Sequence, residues 1–151
     1  MCDYCDCRSH PAIASLSQDH EILLGLLAAL RRAVAADDAE EAGRLAAEVH
    51  GLLPHHAAKE EAGVFTQLRA VDVDPHYVAA FEDDHDRIHR LSAVADPTTW
   101  QADALALADV LQGHVEREEY DLFPSAHQLL APTNWDAVDA VHTELNAQTD
   151  R

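Results

Sequence analysis

Two stretches of this chain repeat one another. They are His56-Ala57-Ala58-Lys59-Glu60-Glu61-Ala62-Gly63-Val64-Phe65 and His114-Val115-Glu116-Arg117-Glu118-Glu119-Tyr120-Asp121-Leu122-Phe123. Each reads His, three residues, Glu-Glu, two residues, an aliphatic residue and Phe. Residues four apart on a helix share a face, so each copy sets an imidazole beside a carboxylate. A single His-x3-Glu arises readily by chance in an acidic helix. Two matched copies with the same apolar-aromatic tail are much stronger evidence, and facing each other across a bundle they would form a metal cage.

Apolar periodicity supplies the helices. Ile13, Leu16, His20, Leu23, Leu27, Leu30 and Val34 step by three or four, which predicts a first helix over about 12–36, with Ser15 and Gln18 as a capping box. Asp37 or Asp38 caps a second helix over about 38–70. Its stripe is Leu45, Val49, Leu52, His56, Glu60 and Val64, and Pro54 should kink or split it. His50 and His55 compete with His56 but fall off the stripe. Asp74-Pro75 starts a third helix over about 75–95, with Val78, Phe81, His85, Ile88 or His89, and Ser92 inward. Asp96-Pro97 repeats that signal for a fourth, over about 97–123, with stripe Leu107, Leu111, His114, Glu118 and Leu122, ending at Pro124. A short fifth helix, over about 133–148, starts at Thr133 with Asp136 as capping partner. His127 and His142 lie beyond the four stripes and read as structural or exposed.

Asp19-His20 and Asp84-His85 also match, and each precedes a helix carrying His-x3-Glu-Glu. The expected fold is all-α: an antiparallel four-helix bundle of pseudo-twofold symmetry with its site on the axis, plus a short extra C-terminal helix. The bundle and extra helix take residues 11–151 and a Cys-containing N-terminal arm takes residues 1–10.

The candidate ligands are His20, His56, Glu60, His85, His89, His114 and Glu118. His85 and His89 are four apart and can point at one site, although His89 reads also as a solvent-facing residue among Asp83, Asp84, Asp86, Arg87 and Arg90. Burying these groups unpaired is costly. Metal coordination removes that cost, and no Arg or Lys on the stripes offers a substitute. A metal-free His–Glu hydrogen-bond network is the competing reading. Imidazole and carboxylate without thiolate suit iron, manganese or zinc. Six or seven ligands exceed one tetrahedral zinc and suit two octahedral ions bridged by the two Glu.

On His20, His56-x3-Glu60, His85 and His114-x3-Glu118, in that order and over about residues 12–125, the chain resembles the hemerythrin-like (HHE cation-binding) family. The ferritin-like di-iron proteins, which use Glu-x-x-His, match less well. The resemblance implies a non-haem di-iron centre, two iron ions with a bridging oxo or hydroxo group, taking O2, peroxide or NO as small ligand. His89 would give the His-x3-His pair of oxygen-carrying members. Those members place an Asp five residues after the His. Here Glu119 holds that position and Glu118 the one before it, so either can bridge. With both irons six-coordinate, His89 as a ligand leaves one position open for end-on binding. Without His89 two stay open, which favours chemistry at the metal over reversible carriage.

A formal charge of −18 on 151 residues argues against nucleic acid and anionic membrane surfaces as partners. No apolar run approaches the ~20 residues of a membrane span. A basic segment followed by an apolar one is absent from the N-terminus, which predicts a cytoplasmic protein. Cys2, Cys5 and Cys7 are the only cysteines, too crowded and odd in number for a disulfide framework. With His10 they form a candidate zinc or iron-sulfur site, or else a flexible, reduced tail. The leading expectation is a di-iron protein binding O2, peroxide or NO. Its rivals are a peroxide- or NO-reactive di-iron oxidoreductase and an iron-dependent regulatory module. No motif identifies a reductase or protein partner.

Overall fold

Apolar residues three and four apart wind the chain into helices. The structure, a computed structural model, describes residues 6–93 and 96–149. A 3-10 turn, Cys7–Ser9, leads into α1, Pro11–Ala35. Helix α2, Ala39–Lys59, passes through a π-helical segment, Glu60–Phe65, into α3, Thr66–Ala70. Then comes α4, Pro75–Ala93, and α5, Trp100–Arg117, which passes through a second π segment, Glu118–Leu122, into α6, Phe123–Leu129. The extra C-terminal helix is α7, Pro132–Thr149. Helices α1 and α4 each pack between α2 and α5, closing a four-helix bundle, and α7 lies outside it against the first π segment, α2 and α1. No helix among the described residues is long and apolar enough to cross a membrane.

Several starts follow their signals. The Asp38 side chain accepts the Glu41 N–H at 3.0 Å, and Asp74 accepts that of His76 at 2.9 Å ahead of Pro75. Others depart from expectation. Helix α1 begins at Pro11, with no side-chain cap and Ser15 inside it, because proline suits the first helical turn. Helix α5 begins at Trp100, since the Asp96 carboxylate is spent on a turn, accepting the Thr98 N–H at 2.8 Å. Helix α7 begins at Pro132 rather than Thr133.

The prolines do not interrupt the columns where expected. Pro54 sits inside α2, and the irregularity comes later, at Glu60. Pro124 does not end its column. It sits at the start of α6, directly after the second π segment, in an unbroken helical column. Both π segments begin at the Glu of a His-x3-Glu motif. Each adds a residue to its turn, so Glu60, Val64 and Phe65 bury together, as do Glu118, Leu122 and Phe123. Upstream, Leu53 rather than Leu52 faces inward and Leu52 is exposed.

The core divides in two. One apolar cluster holds Ile13, Leu16, Phe65, Leu68, Phe81, Phe123 and Trp135. The other holds Leu23, Leu27, Leu30, Val49, Ile88, Leu107 and Leu111. Between them in sequence, on every column, stands a buried His or Glu: His20, His56 and Glu60, His85, and His114 and Glu118. A polar layer thus crosses the middle of the bundle.

Helix α7 approaches the first π segment closely at Gly63, where a Cβ would stand 3.3 Å from Val138 Cγ1 and 3.5 Å from His142 Nε2. The Gly63→Val substitution should therefore destabilise the chain by about 1–3 kcal/mol through overpacking. Urea unfolding checks this, and an unchanged midpoint would contradict the packing of α7.

Candidate metal centre

The polar layer converges from four columns. His20 comes from α1, His56 and Glu60 from the second column, His85 from α4, and His114 and Glu118 from the fourth. His20 Nε2 lies 3.2 Å from His56 Nε2 and 3.1 Å from Glu118 Oε2. His56 Nε2 lies 3.4 Å from Glu60 Oε2. On the other side His85 Nε2 is 3.1 Å from Glu60 Oε2, and His114 Nε2 is 3.0 Å from Glu118 Oε1. These atoms fall into two groups, His20, His56, Glu60, Glu118 and Glu60, His85, His114, Glu118, with ligand atoms within 4.8 Å of one another in each. Both glutamates belong to both groups.

The opposite nitrogen of each imidazole faces a carboxylate from the neighbouring column, within hydrogen-bond reach for His20, His56 and His85. Asp19 of α1 faces His56 Nδ1 at 3.3 Å. Glu61 faces His85 Nδ1 at 2.8 Å. Asp84 of α4 faces His114 Nδ1 at 3.5 Å. Glu119 faces His20 Nδ1 at 2.8 Å, closing a ring round the bundle. Lys59 pairs with Asp19, and Arg117 with Asp84. The tail aromatics of the repeat complete the symmetry: Phe65 stacks on His85 at 5.7 Å and Phe123 on His20 at 5.6 Å.

The donor set fits a pair of cations. Both oxygens of Glu60, both oxygens of Glu118, His85 Nε2 and His114 Nε2 are buried with no hydrogen-bond partner. Buried polar atoms are normally satisfied, and these face one another, an arrangement that either shared protons or a cation can satisfy. The hemerythrin HHE cation binding domain matches residues 12–126. The chain belongs to this family. No curated protein and no solved structure matches it. In this hemerythrin-like chain the matched residues contain the whole inner layer and its ring of carboxylates, whereas the arm and α7 lie outside them.

The inner residues expected from sequence, His20, His56, Glu60, His85, His114 and Glu118, come together. His89 does not. It is exposed and stacks on His50 with ring centroids 4.3 Å apart, because a helix step beyond Ile88 turns away from the axis. Glu118 points into the layer while Glu119 reaches outward to His20. In the arm, Cys7 is buried and disulfide-bonded, against the expectation of reduced thiols. Cys2 and Cys5 lie outside the described residues. His10 stacks on Trp135 at 3.9 Å and meets His127 at 3.0 Å. His142, expected to be structural or exposed, is buried against Gly63. Lys59, on no stripe, is buried.

Without a cation, protons hold the layer together. Burial opposes charge on His20, but the facing Glu118 and Glu119 outweigh it and raise its pKa from 6.5 to about 10. Burial likewise opposes charge on His85, but Glu118 and Glu60 raise it to about 11. Glu118 is held well below its ordinary 4.5, since His114, His20 and His85 outweigh burial. A cation must displace these protons. Cation affinity should therefore climb with pH throughout about pH 6–9 rather than level off near the 6.5 of a free imidazole. Calorimetry in buffers of different protonation enthalpy should show proton release at neutral pH. Pure pH independence above pH 7 would contradict it. In the metal-free chain, the stabilisation from His20 and His85 is full below 6.5 and lost as pH rises through about 10 and 11. His56→Ala or His114→Ala should remove far more bound metal than His127→Ala, as read by metal analysis of the purified variants. Equal losses would refute the assignment.

Proposed function

We propose that this hemerythrin-like chain is a non-haem di-iron protein that binds O2, or a related small ligand such as peroxide or NO, at a carboxylate-bridged site in the cytoplasm. The observation that carries this reading is that two buried donor groups share both Glu60 and Glu118. Each cation position then has two imidazoles of its own, and the two carboxylates bridge. Iron bound there would supply the electrons for reaction with the small ligand, and an oxo or hydroxo group would complete the bridge.

The protein's part is to hold and shield. His20, His56, His85 and His114 anchor the pair, and the carboxylates at their Nδ1 atoms set ring orientation. Phe65, Phe123, Leu23 and Ile88 are buried around the layer and keep water from it. A cleft of about 290 Å³, lined by Leu53, Pro54, Ala57, Ala58, Glu61 and His85 among others, reaches the layer from outside.

A peroxide- or NO-reactive oxidoreductase is the second reading. It is favoured by the position of His89 outside both donor groups, which leaves more coordination positions free than a carrier with five imidazoles would have. Metal analysis should find about two irons per chain, with a near-ultraviolet band in the oxidised form. Reversible spectra on exposing the reduced protein to air support a carrier, and sustained turnover of peroxide or NO supports the enzyme. One zinc or no metal per chain would overturn both.

A further inference from the structure

The repeat makes the inner layer twofold, but the surroundings of its two halves differ. Around His20 and His56 both aiming carboxylates are backed by a cation. Asp19 is held by Lys59, which is 3 % exposed. Glu119, 6 % exposed, receives the Arg8 guanidinium at 3.2 Å. Around His85 and His114 only one of the two is backed in this way, Asp84, which at 19 % is less exposed than Asp19 at 31 %. The partner of Asp84 is Arg117, 49 % exposed. Glu61 is 43 % exposed, lines the cleft, and has no Lys or Arg within ion-pair distance among the described residues. The residue that breaks the symmetry comes from outside the family match, from the N-terminal arm. Cys7 is buried in the apolar cluster beside Ile13 and Trp135, and His10 stacks on Trp135. With Cys7 on one side of it and His10 on the other so seated, Arg8 meets Glu119 and, at 3.5 Å, Glu21.

We infer that Arg8 is a positioning residue of the metal centre and makes the His20–His56 position the tighter of two unequal cation positions. The inference rests on the two-cation reading of the site. Arg8 fixes the Glu119 carboxylate, Glu119 fixes the His20 ring through Nδ1, and the ring presents Nε2 to the cation. An aimed ligand binds more tightly than one free to rotate, and outer partners of this kind are worth ~10–100-fold in metal affinity. The other position, beside the cleft and aimed by the exposed Glu61, holds its cation less tightly and is the one that exchanges.

Titrating the metal-free full-length chain with Co2+ alone, followed by visible absorption and calorimetry, tests this. The wild type should bind two Co2+ in two separable steps. Arg8→Gln should weaken the tighter step by ~10–100-fold and leave the weaker one unchanged. Arg8→Lys, which keeps the charge, should restore part of the loss. His56→Ala should abolish the tighter step and His114→Ala the weaker. Circular dichroism of metal-free Arg8→Gln should show wild-type helicity at the titration temperature, separating ligand positioning from loss of the fold. If that variant loses helicity, Glu119→Gln cuts the same tie from the other side and must reproduce the one-sided loss. Unchanged steps, or equal weakening of both, overturn the role of Arg8. Uptake of fewer than two Co2+ by the wild type overturns the two-cation reading instead.

Discussion

Two glutamates with no exposed surface, Glu60 and Glu118, set the terms for the rest of this molecule. A carboxylate taken out of water and left alone costs more than a small domain can absorb. The chain surrounds the pair with four imidazoles: their partners raise His20 and His85 well above the usual imidazole range, so that these two carry protons when no cation is present, and all four can offer lone pairs to a cation. That substitution is why a polar layer can stand between two apolar clusters. Leu and Phe residues on either side supply stability through burial, at roughly 1.5–3 kcal/mol for each fully buried side chain. The polar layer supplies donor groups for cations.

The twofold repeat extends further than the ligands. Asp19 and Asp84 precede His20 and His85; Lys59 and Arg117 precede Glu60 and Glu118; Glu61 and Glu119 follow them; Phe65 and Phe123 close each motif. Every one of these residues touches the layer or a side chain that does. The elements that break the symmetry are additions at the two ends of the chain. The arm contributes Arg8 to one half, and α7 covers the π segment of one column but not the other.

Much of this was legible in the sequence, and the gaps have physical causes. The convergence of the inner His and Glu residues could be foreseen because a helix turns His-x3-Glu into neighbours, and because a His on an apolar stripe calls for a partner. The same periodicity misplaced His89 and Leu52, since spacing of four does not say which of two adjacent residues takes the inner side. The outer carboxylates were visible as half of a repeat. Their role was not, because it depends on contacts between columns: Glu119 and His20 are far apart in the chain. The π segments left no local signal. Pro54 and Pro124, the strong local signals, proved tolerable, one inside a long packed helix and one at the start of α6 in an unbroken column. Arg8 and the burial of Lys59 and His142 are products of packing alone.

The ring of Nδ1 contacts runs one way round the bundle: α1 to α2, the second column to α4, α4 to α5, and the fourth column back to α1. Each column therefore steers the ligand of the next and has its own steered by the one before. Turning any helix about its long axis breaks one contact it gives and one it receives, so the disturbance passes to both neighbours. The four columns are geared together like meshed wheels in a closed train, and a closed train of this kind resists rotation of any single member. What keeps the donor atoms in register is thus a property of the circuit, held jointly by all four columns and owned by none.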